Sequence, residues 1–533
     1  MRFYLSQIVS LGFLFALLLI PINVVFLLLG IPAIFSVAAA ISTISLCWWF
    51  GPSVYDYIFT KKYGAKWVSI EQLTQSHDSL GMFVRDLLHK ENLQIRKIGI
   101  IDEDRPICIT YGASKNDIHL LITQGIFNYL NEEEQQAILA HEIGHMKYGD
   151  FATLSTAYFP AFGFYELSKH YWRKNSMRNS VLRPFGYLAY FFYTVYNTPI
   201  LLQSRLREFI ADKYACTKVN PNALGTALCK ISLAYISSSN KKRSVNLMEV
   251  SRPFSAVDHV LARNLALAYM NRKETGIWVL TENLVMRSIN NPWPAFYEFW
   301  STHPLAGRRI MIICLDAKRQ NFTPFLEMDR MLSQNVATSL LIMHFMEDFV
   351  IFVIARLSPL IILGLLLTGY FFDNSATVGV MIILYGLGNA LISFYSFSYN
   401  KFVEGTVKSL LEDLYSSPIR GKPLILDGVI REKSSVGLDL PEDLVFADYS
   451  GELFIGPRSL VPLMVSPFIS ASKLMSFKDQ RIKVRGWYMH AQYPKLIIDE
   501  IKTKTQTVRG RQRLFDVGTA CLFISIGILF LLH

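Results

Sequence analysis

The chain has 533 residues, of which 51% are hydrophobic and only 18% charged, and it carries a net charge of +11. That balance points away from a soluble protein and towards membrane spans. The six cysteines are scattered without a CxxC spacing, which argues against a disulfide framework or a cysteine metal site and fits a reducing compartment.

Residues 8–29 and 31–50 are two apolar runs, each long enough to cross a bilayer and broken only by Gly30 and Pro32. They read as a transmembrane hairpin over residues 1–50. No small-residue cleavage site separates them, so a cleaved signal peptide is rejected. Arg2 precedes the hairpin, and Lys61, Lys62 and Lys66 follow it closely. By the positive-inside rule, both flanks face the cytoplasm. Next come an amphipathic helix over 78–93 and strands over 96–101, 107–110 and 117–123, the last two joined by a turn at 112–116. A strand beside the following helix offers its edge to an extended peptide, or it merely covers the core.

Asn131 to Asp150, NEEEQQAILAHEIGHMKYGD, reads as one capped helix. Asn131 is the N-cap, Glu134 completes a capping box, and Glu132 and Glu133 favour the positive end of the helix dipole. His141 and His145 stand four residues apart, so both imidazoles leave one face and can chelate one zinc ion. Glu142 is placed to take a proton from the attacking water. Such a site needs a third ligand. SRLREFIADKYA, downstream, puts Glu208 and Asp212 one turn apart on one helix face. Glu208 is the expected third ligand, and Asp212 is expected to accept the free N–H of a ligating histidine.

Between these two helices lies a hydrophobic insertion, 151–204, formed by apolar runs 151–167 and 181–202. Its join carries Lys169, Arg173, Lys174 and Arg178. Two readings stand, a transmembrane pair or a hairpin seated in the interface, with crossing preferred. Helical spacing returns at 221–237 and 256–269, and then comes THPLAGRRI. His303 and Arg309 in that block are candidate donors to the oxyanion formed when water attacks a carbonyl.

HEIGHMKYGD, SRLREFIAD and THPLAGRRI together resemble the HtpX-type and CaaX-prenyl-protease-type membrane metallopeptidases. In that family HExxH, RxxExxAD and a His-Pro motif ending in Arg-Ile recur. The matching positions are Arg205, Glu208, Ala211 and Asp212, then His303, Pro304, Arg309 and Ile310. The resemblance covers about residues 70 to 315. It implies a gluzincin catalytic domain with one zinc per chain and His303 and Arg309 near the tetrahedral intermediate. The family's Asn-Ala-Phe-Ala-like stretch before the zinc helix is here Thr110-Tyr111-Gly112-Ala113.

Two more apolar runs, 350–372 and 376–397, form a second hairpin around an Asp373-Asn374-Ser375 turn, with Arg356 inside the first run. Residues 398–514 alternate as short strands and suggest a small OB-like barrel. Trp487, Tyr488 and Tyr493 with Lys483 and Arg485 would suit a stacking surface, but aromatics on strands usually build the core, and no nucleic-acid partner is expected. Residues 515–533 are a last apolar segment.

The expected fold is a multi-pass α-helical membrane protein with an α+β zincin catalytic domain and a small all-β, OB-like C-terminal domain. Its divisions are 1–50, 51–345, 346–397, 398–514 and 515–533. The expected function is a zinc endopeptidase of the cell membrane whose catalytic and OB-like domains face the cytoplasm. Its partners would be the lipid bilayer and polypeptide substrates, membrane proteins in quality control. The alternatives are a non-proteolytic scaffold with a zinc site and a partner-binding barrel, or a prenyl-protein processing protease.

Overall fold

The structure is a computed structural model. It describes residues 2–172, 183–237, 247–248, 250–258, 262–275, 278–299, 301–333, 335–367, 375–398, 401–433, 443–456, 476–503, 506–510 and 512–532. Two compact units emerge: Met1–Ala262 with Glu298–Met328, and Arg263–Tyr297 with Asp329–His533.

In the first unit, α1 (Arg2–Leu28) and α2 (Ala33–Tyr63) pack as a hairpin whose turn places Gly30 at φ 72°. The second helix runs well past its apolar stretch because Tyr55, Phe59 and Tyr63, four residues apart, bury one face. Lys61 and Lys62 therefore sit in its last turn. A four-stranded sheet follows in the order β1-β2-β4-β3, formed by Lys66–Val68, Ile95–Ile101, Asp117–Thr123 and Cys108–Ser114 respectively. β3 runs on to Ser114, so the expected five-residue turn shrinks to Lys115 and Asn116.

One polar cluster ties α2 to this sheet. The Asp56 carboxylate accepts from Tyr111 Oη at 2.7 Å and Lys97 Nζ at 2.6 Å, and it lies 2.8 Å from His119 Nδ1.

Of the helices of this unit, α3 (Ile70–Ser76) packs on α4 (Asp78–Lys90), α4 on α6 (Glu132–Tyr148), α5 (Gln124–Tyr129) on β4, and α6 on β3. α6 opens on the expected capping box: Asn131 Oδ1 accepts from Glu134 N, and Glu134 Oε2 accepts from Asn131 N, both at 2.9 Å. The Glu134 carboxylate also takes Thr226 Oγ1 at 2.9 Å and Lys230 Nζ at 2.7 Å, fastening α6 to α9 (Pro221–Ser237). α7 (Asp150–Trp172) and α8 (Arg183–Cys216) form the inserted hairpin. Its basic join, with Arg173, Lys174 and Arg178, lies outside the described residues. α8 is one continuous helix, so the apolar run and the Glu208–Asp212 pair share a rod.

In the second unit, α10 (Ala262–Thr275), α11 (Val279–Asn290), α12 (Pro292–Phe299), α15 (Thr338–Leu367) and α16 (Ser375–Ser396) accompany a seven-stranded sheet. The Asp373-Asn374 turn and the side chain of Arg356 lie outside the described residues. α13 (Ala306–Arg319) belongs to the first unit, and α14 (Met328–Ser333) begins where that unit ends. After β5 (Val403–Glu404) and α17 (Val407–Leu411) come β6 (Lys422–Lys433), β7 (Leu444–Asp448), β8 (Gly451–Gly456), β9 (Arg481–His490) and β10 (Pro494–Lys502). These five strands close on themselves in the order β6-β7-β8-β10-β9, with β8 and β10 parallel. Leu426, Phe446, Leu453, Val484, Leu496 and Ile501 fill the barrel. Trp487 and Tyr488 are buried, so they are core rather than an exposed stacking surface. β11 (Thr507–Arg509) pairs with β10, and α18 (Gln512–Leu532) packs on α16.

Among the described residues four helices are long and apolar enough to cross a membrane: Gln7–Leu28, Ala33–Tyr63, Thr338–Ala355 and Val378–Ser396. The α7–α8 hairpin is not among them, and Asp516–Leu532 is a shorter apolar helix. In α7 the interruptions are Asp150, Glu166 and Lys169, with Ser and Thr between them.

Replacing Asn131 with Ala removes one side-chain cap and should cost about 1 kcal/mol of stability. Glu134→Ala removes a buried carboxylate with three partners and should cost more. Thermal unfolding of the detergent-solubilised chain, wild type beside both variants, checks the order.

Candidate active site

α6 and α8 cross at Gly144. A Cβ at this position would stand 3.1 Å from Ala211 Cα, so a larger residue would push the helices apart. The crossing carries Glu208, three residues before Ala211, to the two histidines. His141 Nε2 and His145 Nε2 are 3.2 Å apart, and the Glu208 oxygens lie 3.4 Å from the first and 3.5 Å from the second. Ligands about 2.1 Å from a tetrahedral zinc are about 3.4 Å from one another, so the two imidazoles and the Glu208 carboxylate, which turns Oε2 to His141 and Oε1 to His145, are spaced to share one ion. Both Glu208 oxygens are buried without a hydrogen-bond donor, as befits a carboxylate that awaits a cation. Among the described residues this is the one cluster of His, Cys, Asp or Glu able to hold a metal ion.

Each imidazole is backed by a carboxylate. Asp212 Oδ1 lies 3.0 Å from His141 Nδ1, although the approach is too bent for a straight hydrogen bond. Asp150 Oδ2 lies 3.0 Å from His145 Nδ1. Asp150 was not singled out from the sequence, although it ends the HEIGHMKYGD block. Its place as first residue of α7, five positions beyond His145, was the available signal. Asp212 is gripped by Arg309, whose Nε and Nη2 each donate to it at 2.7 Å. Two of the Arg309 donor atoms are thus committed, and Nη1 is left facing Glu208 at 3.5 Å and the carbonyl of Ala256.

Glu142 is held by β3. Thr110 Oγ1 donates to its Oε2 at 2.8 Å, while Oε1 has no partner. Burial pushes the Glu142 carboxyl up, partly offset by His145 and His141. Such a shift brings a carboxylate nearer the range in which it can both take and return a proton. His303 comes to the same place, its Nε2 3.9 Å from Glu208 Oε1. Burial lowers it to about 4, so it is neutral at pH 7. Its Nε2–H donates to the carbonyl of Ser255 at 2.7 Å, and Nδ1 faces the Thr302 hydroxyl at 2.9 Å.

Two arginines beside Glu208 complete the surroundings. Arg207, absent from the expected set, is buried with Nη2 3.2 Å from Glu208 and Nη1 3.6 Å from Asp150. Arg205 Nη1 donates to the carbonyls of Glu298, Phe299 and Ser301 at 2.7, 2.8 and 3.0 Å, fixing the approach to His303. Burial opposes the charge of Glu208, yet His303, His141 and Arg207 together hold its carboxyl well below the usual range.

The structure therefore unites all seven expected residues: His141, Glu142, His145, Glu208, Asp212, His303 and Arg309. Each is at most 2% exposed. Two histidines on one helix, a glutamate from a second helix and a buried carboxylate with one open oxygen beside them have the composition of a metallopeptidase site.

The comparisons agree. Residues 75–313 match the model of peptidase family M48. The chain is 25% identical over 236 residues, 44% of its length and 85% of the relative's, to a "Protease HtpX homolog" of Methanothermobacter thermautotrophicus. It is 24% identical over 267 residues, 45% of its length and 92% of the relative's, to "Protease HtpX" of Shewanella frigidimarina. A homologue from Methylibium petroleiphilum is 30% identical over 190 residues, 34% of this chain and 66% of that one. No solved structure gave a significant match. Residues 75–313 are thus similar to the metallopeptidases of family M48, and to HtpX proteases among them.

In the metal-free protein His141 keeps its proton up to about 9: burial opposes this, but Asp212 and Glu208 outweigh it. A histidine raised from 6.5 to about 9 contributes stability that is complete below 6.5 and lost as pH rises through about 9. Thermal unfolding in EDTA across that window should show the fall, and zinc loading should remove it. Asp150→Asn or Asp212→Asn should weaken zinc binding by roughly 10–100-fold in a chelator competition.

Proposed function

We propose that the chain is a zinc-dependent endopeptidase that acts on membrane proteins in quality control, with its active site facing the cytoplasm. The observation that carries this reading is the meeting of the His141 and His145 nitrogens, 3.2 Å apart, with the Glu208 carboxylate 3.4 to 3.5 Å away, neither of whose oxygens accepts a hydrogen bond. His141, His145 and Glu208 would hold one zinc ion, the metal general to the family. When bound, it supplies a Lewis acid that polarises the scissile carbonyl and acidifies the attacking water.

The remaining work falls to the chain's own groups. Glu142, aimed by Thr110, accepts the proton of the attacking water and returns it to the leaving amine. Asp212 and Asp150 fix the orientation of the two imidazoles, and Arg309 fixes Asp212. The neutral His303, through Nε2–H, and Arg309, through Nη1, donate to the developing oxyanion. The burial of all these groups strengthens each electrostatic interaction by excluding water.

Lys61, Lys62 and Lys66 beside the first hairpin support the cytoplasmic orientation. The divisions at 50, 345, 397 and 514, a multi-pass topology and a third membrane segment near the C-terminus belong to the same reading. The closed five-stranded ring with parallel β8 and β10 supports the OB-like character of 398–514. A scaffold with structural zinc would call for a fourth protein ligand, whereas the cluster offers three.

Glu142→Gln should retain one zinc per chain and lose casein cleavage by at least 100-fold; proteolysis surviving in that variant would overturn the mechanism. Cleavage of isoprenylated peptides in preference to casein would move the reading to prenyl-protein processing.

A further inference from the structure

β3 is the edge strand of its sheet, and its outer side borders Glu142 through Thr110. An edge there has a row of backbone groups free to pair with an extended peptide. In this structure part of that edge is taken by the chain itself: Ser255 forms an antiparallel bridge with Ile109.

The groups expected to meet a substrate carbonyl are engaged by the same segment. His303 Nε2–H donates to the Ser255 carbonyl at 2.7 Å, and Arg309 Nη1 donates to the carbonyl of the next residue, Ala256. Arg207 Nη2 donates to the Pro253 carbonyl at 2.8 Å. Three cationic or imidazole side chains around Glu208 thus bind three main-chain carbonyls within four residues. The segment is not extended, since Phe254 N and Ser255 N both turn back to Ser251 O at 2.9 Å. It therefore pairs with β3 at one point and does not lie through the site as a scissile strand would.

Between the held carbonyls, Phe254 is 3% exposed and lies among aromatic walls. Its ring meets Tyr55 of α2 at 5.9 Å and Tyr158 of α7 at 5.5 Å, both edge to face. Tyr55 in turn packs on Phe162 and Phe159 at 6.1 and 5.9 Å. Edge-to-face contacts of this kind favour an aromatic guest over an aliphatic one of equal area.

We propose that the Tyr55–Tyr158 pocket is the subsite that takes a large aromatic side chain of the substrate. Ser251–Asp258 is its internal occupant and must withdraw before a substrate strand can pair along β3. This inference rests on the peptidase reading. It names the substrate class as apolar polypeptide bearing Phe, Tyr or Trp at one fixed place beside the cut, and it makes Tyr55 and Tyr158 specificity residues.

The test uses the full chain, zinc-loaded in detergent. Cleavage sites produced by the wild type in denatured casein, mapped by mass spectrometry, should carry an aromatic residue at one fixed position, and Tyr158→Ala should flatten that preference. The synthetic peptide SRPFSAVD should compete with substrate, and its Phe254→Ala version should bind at least 10-fold more weakly. Phe254→Ala in the full chain should cleave short peptides several-fold faster. Cleavage by the wild type without aromatic preference, together with no competition by the peptide, overturns the subsite while leaving the peptidase intact. No cleavage by either wild type or Phe254→Ala overturns the peptidase reading and the subsite with it. If Phe254→Ala does not fold, the wild-type site map and the peptide competition still decide.

Discussion

The contact on which the rest of the catalytic unit depends is the crossing of two helices at Gly144 and Ala211. Neither helix alone has a metal site. α6 supplies two imidazoles on one face, and α8 supplies one carboxylate, some sixty residues later in the chain. Only a close backbone approach brings these atoms within 3.5 Å of each other. Glycine and alanine at the crossing make the approach sterically open. The capping box at Asn131 and the attachment of Glu134 to α9 fix where α6 begins, and therefore how its histidine face is rotated.

Around that crossing the site solves a charge problem. Glu142, Asp150, Glu208, Asp212 and Asp258 are all buried, and so many uncompensated carboxylates would be prohibitive. Arg309 pairs with Asp212, Arg207 lies between Glu208 and Asp150, and Arg252 reaches Asp258 at 3.0 Å. The arrangement leaves Glu208 with both oxygens unspent, and Glu142 with one. Those are the atoms that the proposed mechanism uses. Arg309 thus serves Asp212 first, and its remaining nitrogen, Nη1, donates to the Ala256 carbonyl.

Much of this was legible in the sequence because local rules dominate there. The i, i+4 spacing of His141 and His145 has one geometric meaning on a helix, and so does Glu208 with Asp212. The amphipathic helix at 78–90 and the apolar hairpin at the start follow from periodicity and length. What escaped were long-range partners with no local signature. Asp150 looks like a residue past a helix end, yet it opens the next helix and turns back to His145. Arg207 is buried beside Glu208 with no local spacing to mark it, and Thr110 reaches Glu142 from the edge strand. The strand turn at 112–116 came out too long, because the pairing of Ser114 with Asp117 draws β3 outward. The inserted hairpin is apolar in outline, but its many Tyr, Thr, Ser, Asn and Pro residues dilute its hydropathy, and neither described helix is apolar enough to cross a membrane.

Asp56 carries a further consequence. It sits in the C-terminal part of α2, a helix long and apolar enough to cross a membrane, and yet it is the shared acceptor for Tyr111, Lys97 and His119 on three neighbouring strands. Tyr111 follows Thr110, the residue that aims Glu142. A fragment trimmed of its first 63 residues to make it soluble would strand three polar side chains and open the wall that Tyr55 and Phe59 supply. The anchor is thus a structural part of the enzyme's sheet and not a detachable tether. Any displacement of α2 would therefore be felt at the strand that holds Glu142.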